Sequence, residues 1–159
     1  MNRKQLIIGV AVLLVGTLVY LIDRPPEQTY FVKNSPINIT LFTTIPNLFG
    51  SIGGSLPAFV HVFSFILITA GILTCNRSGY RIICLSWFLL DAACEVGQRF
   101  TAWPSNIIPD WFTGIPFLEN TESYFLHGTF DFLDLAAIAL GSIIAYRILL
   151  RTHERRVVS

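Results

Sequence analysis

The sequence predicts an all-α fold: an integral membrane bundle of four transmembrane helices, joined on the outer side by two aromatic-rich loops. Three observations lead there. Hydrophobic residues make up 53% of the 159-residue chain and charged residues 13%, where an ordinary soluble domain carries about a quarter charged. The mean hydropathy is +0.61. The apolar residues also fall into four runs near the ~20 residues that a helical span requires, and the basic residues cluster at alternate ends of those runs. The whole chain, 1–159, reads as a single membrane domain without internal repeats.

The first span, about 6–22, is uncharged and stops at Asp23-Arg24-Pro25-Pro26. Arg3 and Lys4 precede it as they would a signal peptide, but VYLIDRPP lacks a small-x-small cleavage pattern, so a retained anchor is expected. The second span, about 57–74, opens with Pro57, which suits a first helical turn. The third, about 80–97, carries Asp91 and Glu95. The fourth, about 130–150, carries Asp131, Asp134 and Arg147.

Four simple crossings put eight of the eleven Lys and Arg residues on one side: Arg3, Lys4, Arg77, Arg81, Arg147, Arg151, Arg155 and Arg156. Only Arg24, Lys33 and Arg99 fall on the other. The positive-inside rule then predicts a multi-pass protein with both termini in the cytoplasm. A net charge of +1, with most cations placed at span ends, excludes nucleic acid as the expected partner. The two long connections face outward. The first includes TLFTTIPNLFGSIGGSL, and the second holds Trp103, Trp111, Phe112, Phe117, Tyr124 and Phe125. Aromatics at this density suit the headgroup interface, or a lid over the bundle. Asn38-Ile39-Thr40 is a glycosylation sequon that has meaning only in a eukaryotic secretory pathway. Cys75, Cys84 and Cys94 have no metal or redox spacing and read as packing residues.

The polar residues of the spans converge. Asp91, Glu95 and Gln98 are spaced i, i+4, i+7, one stripe of a helix at about 100° per residue. His127, Asp131 and Asp134 repeat that spacing, and His61 and Ser64 enter on the second span at the same outer depth. A carboxylate at mid-bilayer costs about 3 kcal/mol on insertion scales, so such groups normally face a bundle interior and find partners. Ala137, Gly141 and Ala145 recur every four residues near the side of Asp134, and small-xxx-small spacing predicts that this face packs inward.

Each member also has a plainer role. Asp131 suits a helix N-cap, Glu95 and Gln98 suit a span end, and His61 or His127 can be hydrogen-bonded structural residues. Arg99 can reach headgroups or pair with Asp131 or Glu95. No metal ligand set of HExxH type and no nucleophile or phosphate-loop signature occurs, so neither a metal nor a cofactor is expected. The remaining chemistry is recognition of a headgroup, general acid–base catalysis on a lipid, or structural pinning of the helices in a complex with a membrane-protein partner.

Glu95-x-x-Gln98 at the end of one span and Phe130-Asp131-x-x-Asp134 opening the next, with Gly141 seven residues on and His61 in the second span, resemble the VanZ-like family of small bacterial membrane proteins. The resemblance covers about 57–146. It implies a small protein of the bacterial inner membrane with a cell-envelope role, a lipid-linked or headgroup-bearing ligand class and a link to glycopeptide antibiotic resistance. The convergence of the polar residues, taken with it, makes His61, Ser64, Asp91, Glu95, Gln98, Arg99, His127, Asp131 and Asp134 the expected pocket. The family's arginine two residues before the Phe is Gly128 here, and its asparagine four residues after the second acid is Ile138. Arg99 is the candidate replacement for the arginine's charge.

Overall fold

A computed structural model of the chain describes residues 1–23, 48–100, 108–115, 118–122, 125 and 128–157. Four long helices carry the fold: α1 (Arg3–Asp23), α2 (Leu56–Leu73), α3 (Arg77–Gly97) and α4 (Phe132–Val157). They coincide with the four segments expected to cross the membrane. Short 3-10 turns at Gly50–Gly53, Asp110–Gly114 and Leu118–Asn120 complete the described secondary structure, and no strand occurs among these residues. The expected sequon and Trp103, Phe117, Tyr124 and His127 lie outside the described residues.

Local chemistry sets the helix ends. Pro57 occupies the first turn of α2, where a missing N–H costs nothing. That helix ends at Thr74, which turns left-handed at φ 47° while its N–H still bonds the Ala70 carbonyl. This conformation is uncommon for a β-branched residue, and it reverses the chain in three residues. Asn76 then caps α3, its Oδ1 accepting the Gly79 N–H at 2.9 Å. Asp131 caps α4, its Oδ1 accepting the Leu133 N–H at 2.9 Å.

The helices run alternately up and down. Asn2 donates its N–H to the Gly71 carbonyl at 2.7 Å, joining the start of α1 to the end of α2. Gln5 Nε2 donates to Thr152 Oγ1 at 2.8 Å and to Tyr80 Oη at 3.3 Å, bringing the end of α4 and the start of α3 to the same place. Arg3, Lys4, Arg77, Arg81, Arg147 and Arg151 therefore gather toward one end of the bundle. The carboxylates of Asp91, Glu95, Asp131 and Asp134 lie toward the other.

α2 is the central helix, packed against α1, α3 and α4. Val62, Phe63, Ile66, Leu67 and Ala70 form the core with Tyr80, Ile83 and Cys84 of α3 and Ile138, Ala145 and Leu149 of α4. Glycines bring the backbones together. A Cβ at Gly9 would stand 3.1 Å from the Ser64 carbonyl, and one at Gly141 would stand 2.9 Å from the Phe59 carbonyl. Gly141 and Ala145 are buried and Ala137 half-buried, so the small-residue face of α4 does turn inward. The three cysteines are free.

Among the described residues, two helical segments, Leu56–Leu73 and Phe132–His153, are long and apolar enough to cross a membrane. The four-span expectation is thus met in helix number and order, and in span character for these two among the described residues. In α3, the charged Arg81, Asp91 and Glu95 interrupt the apolar run.

Candidate functional site

The polar stripe of α3 meets two different neighbours. Asp91 faces α2, where its Oδ2 lies 3.0 Å from His61 Nδ1. In this pair the imidazole is half-exposed and the Asp91 side chain 10% exposed. Beneath it the seam continues with rings: His61 contacts Phe65 at 4.4 Å between centroids, and Phe65 stacks on Trp87 at 4.9 Å. Trp87 Nε1 donates to Thr69 Oγ1 at 3.1 Å. The α2 residues recur at i, i+4, i+8 and the α3 residues at i, i+4, so neighbouring turns stack into one seam.

One turn further along α3, Glu95 faces α4 instead. It is 5% exposed, and its Oε1 accepts the Asp131 backbone N–H at 2.8 Å. Gln98, also buried, approaches Glu95 Oε2 with its Nε2 at 3.5 Å, the long limit of a hydrogen bond. Asp131 uses its side chain as the α4 cap and its carbonyl to accept the Asp134 and Leu135 N–H groups. The Asp131 and Asp134 carboxylates are close enough to act electrostatically on Glu95. Asp134 presents a buried Oδ1 that has no hydrogen-bond partner among the described residues.

The expected constellation therefore divides into a His61–Asp91 pair on the α2/α3 seam and a carboxylate group of Glu95, Asp131 and Asp134, with Gln98, on the α3/α4 seam. Ser64 joins neither. It is fully buried, its hydroxyl has no partner among the described residues, and its carbonyl abuts Gly9 of α1. Arg99 is exposed and pairs with neither Glu95 nor Asp131; it follows α3, with its backbone N–H bonded to the Val96 carbonyl. The Glu95 carboxylate is satisfied by a backbone N–H in place of a cation. His127 lies outside the described residues.

Sequence reasoning missed Phe65, Thr69 and Trp87, although their fourfold spacing from His61 and Asp91 was there to read. Phe125, one of the aromatics expected at the interface or in a lid, lays its ring against Gly97 at the end of α3. Among the described residues, no group of three or more His, Cys, Asp or Glu side chains is arranged to hold a metal ion. Chemically, the carboxylate group accepts hydrogen bonds from hydroxyl or ammonium donors. An imidazole–carboxylate pair has the chemistry to transfer a proton.

No protein-family model matches the chain, and neither a curated protein nor a solved structure shows significant similarity to it.

Proposed function

We propose that the protein is a four-span, multi-pass protein of the bacterial inner membrane whose outer end engages a lipid-linked or headgroup-bearing component of the cell envelope. Two features support the membrane reading. Large apolar side chains face outward along three helices, among them Leu14 and Leu18 of α1, Leu85 and Leu89 of α3, and Leu140 and Ile143 of α4. A water-soluble bundle of this size would not leave such faces uncovered. Arg3, Lys4, Arg77, Arg81, Arg147 and Arg151 collect at one end, which the positive-inside rule assigns to the cytoplasm together with both termini.

The observation that carries the binding reading is the buried Asp134 Oδ1 near Glu95, without a hydrogen-bond partner among the described residues, at the end of the bundle opposite most of the basic residues. A carboxylate oxygen withdrawn from solvent is costly unless something donates to it. Hydroxyl or ammonium groups of an envelope headgroup have the chemistry to do so. Membership of the VanZ-like family stays a proposal. It is supported by the Asp131 N–H bond to Glu95, which joins the two halves of the motif, and weakened at Ile138, where core packing takes the place of the family's asparagine.

Native mass spectrometry of protein extracted in mild detergent tests the binding reading. Wild-type protein is expected to retain an envelope lipid that both Glu95→Gln and Asp134→Asn release while still folded. Unchanged retention in both variants overturns it. A second reading, an intramembrane enzyme acting on a lipid by acid–base chemistry, is favoured by the 3.0 Å His61–Asp91 pair. It requires turnover of an envelope lipid by the purified protein, lost in His61→Asn and Asp91→Asn.

A further inference from the structure

α1 and α4 both pack on α2 but touch each other only slightly, near the basic end. The gap they leave is a cleft of about 400 Å³, lined by Lys4, Ile7 and Ile8 of α1 and Ile148, Arg151 and Thr152 of α4. That volume lies within the ordinary range of small-molecule sites. Its floor is polar: Thr152 Oγ1 accepts from Gln5 Nε2, and Gln5, fully buried behind it, has an Oε1 without a partner among the described residues. The walls are isoleucine. At the mouth stand two cations, and neither Lys4 nor Arg151 has a hydrogen-bond or ion-pair partner among the described residues.

We propose that this cleft binds an anionic phospholipid, its phosphodiester held between Lys4 and Arg151 and an acyl chain lying along the α1/α4 gap. Charge complementarity selects the occupant. Two unpaired cations over an apolar channel match a ligand with one anionic head and a hydrocarbon tail, and basic pockets between transmembrane helices on the cytoplasmic side are suited to anionic headgroups. The tail has a track to follow, because Ile7, Val10, Leu14 and Leu18 form an exposed apolar stripe of α1 leading away from the cleft. The inference rests on the membrane reading of the bundle but not on any role for Glu95 or Asp134, which lie toward the opposite end.

The test is a native mass spectrometry titration of the whole protein in mild detergent with dioleoyl phosphatidylglycerol and, separately, dioleoyl phosphatidylcholine. The two lipids share their tails and differ in net headgroup charge. Wild-type protein is expected to retain phosphatidylglycerol roughly twenty-fold more strongly, at about fivefold for each of the two cations. Lys4→Gln with Arg151→Gln should abolish that preference. The charge-matched Arg3→Gln with Arg77→Gln, which changes the same end without touching the cleft lining, should keep it. Equal retention of the two lipids by wild-type protein overturns the proposal. So does equal loss in both double variants, which would mean a diffuse surface charge, or a stable dimer without bound phosphatidylglycerol, which would mean that a second copy fills the cleft. Glu95→Gln and Asp134→Asn should leave the preference intact, so the outer-end reading can fail without this one.

Discussion

Glu95 of α3 accepts the backbone N–H of Asp131 at 2.8 Å, so an acidic side chain of one helix receives the chain entering the next. The bond fixes where α4 begins relative to α3. It also frees the Asp131 side chain to cap its own helix.

Replacement of Glu95 should separate this structural role from its charge. Glu95→Gln retains a carbonyl oxygen for the Asp131 N–H and should shift stability by less than about 1 kcal/mol. Glu95→Ala leaves that N–H without its acceptor and should cost about 1–3 kcal/mol. Thermal unfolding in one detergent, followed by circular dichroism, checks the pair. Equal melting temperatures for the two variants would remove the hydrogen bond from the account.

The cap at α4 makes a second expectation. Asp131→Ala should cost about 1 kcal/mol, whereas Asp131→Asn or Asp131→Ser, which keep a side-chain acceptor, should cost much less. Faster amide exchange confined to the first turn of α4 in Asp131→Ala would locate the effect. Uniform exchange along the helix would not fit it.

The four helices were legible because each is a largely apolar run of about the span length, with readable boundaries such as Asp23-Arg24-Pro25-Pro26 after α1 and Pro57 in the first turn of α2. Their alternation followed from the short turn at Thr74 and from the placement of Lys and Arg. The site was legible only by face and depth. Helical periodicity puts Asp91 and Glu95 on one stripe, but a stripe spans enough arc to touch two neighbours, and here Asp91 turns to α2 while Glu95 turns to α4. Periodicity likewise cannot tell whether a carboxylate is met by Arg99 or by a backbone N–H. That depends on how the chain enters α4, where a main-chain donor stands free in the first turn. Ser64 stands apart from both groups for a related reason: α2 is central, so a polar residue one turn beyond His61 is enclosed by the core.

Gly141 tests how closely α4 must approach α2. A Cβ there would stand 2.9 Å from the Phe59 carbonyl and 2.7 Å from Val62 Cγ1, so the helices must part to admit it. Gly141→Ala should destabilise by about 1–3 kcal/mol in spite of its better helix propensity. Gly114→Ala, with open space around its Cβ position, is the control and should be close to neutral. A stabilised Gly141→Ala variant in the same detergent melt would mean that the close approach contributes nothing.

The His61–Asp91 pair should couple energetically, because the carboxylate is largely withdrawn from solvent while the imidazole remains accessible at 50% exposure. A double-mutant cycle of His61→Ala, Asp91→Ala and both together is expected to give a coupling of about 0.5–2 kcal/mol. The aromatic seam supplies the comparison. Trp87→Phe keeps a ring beside Phe65 but loses the 3.1 Å bond to Thr69, so it should weaken the bundle by about 1 kcal/mol without changing that coupling. If the His61–Asp91 coupling instead vanishes in the Trp87→Phe background, the pair depends on the rings beneath it for its geometry, and the seam acts as one unit. If the coupling is zero in the wild-type background, the two side chains are neighbours without being partners, and the acid–base reading of this seam falls with it.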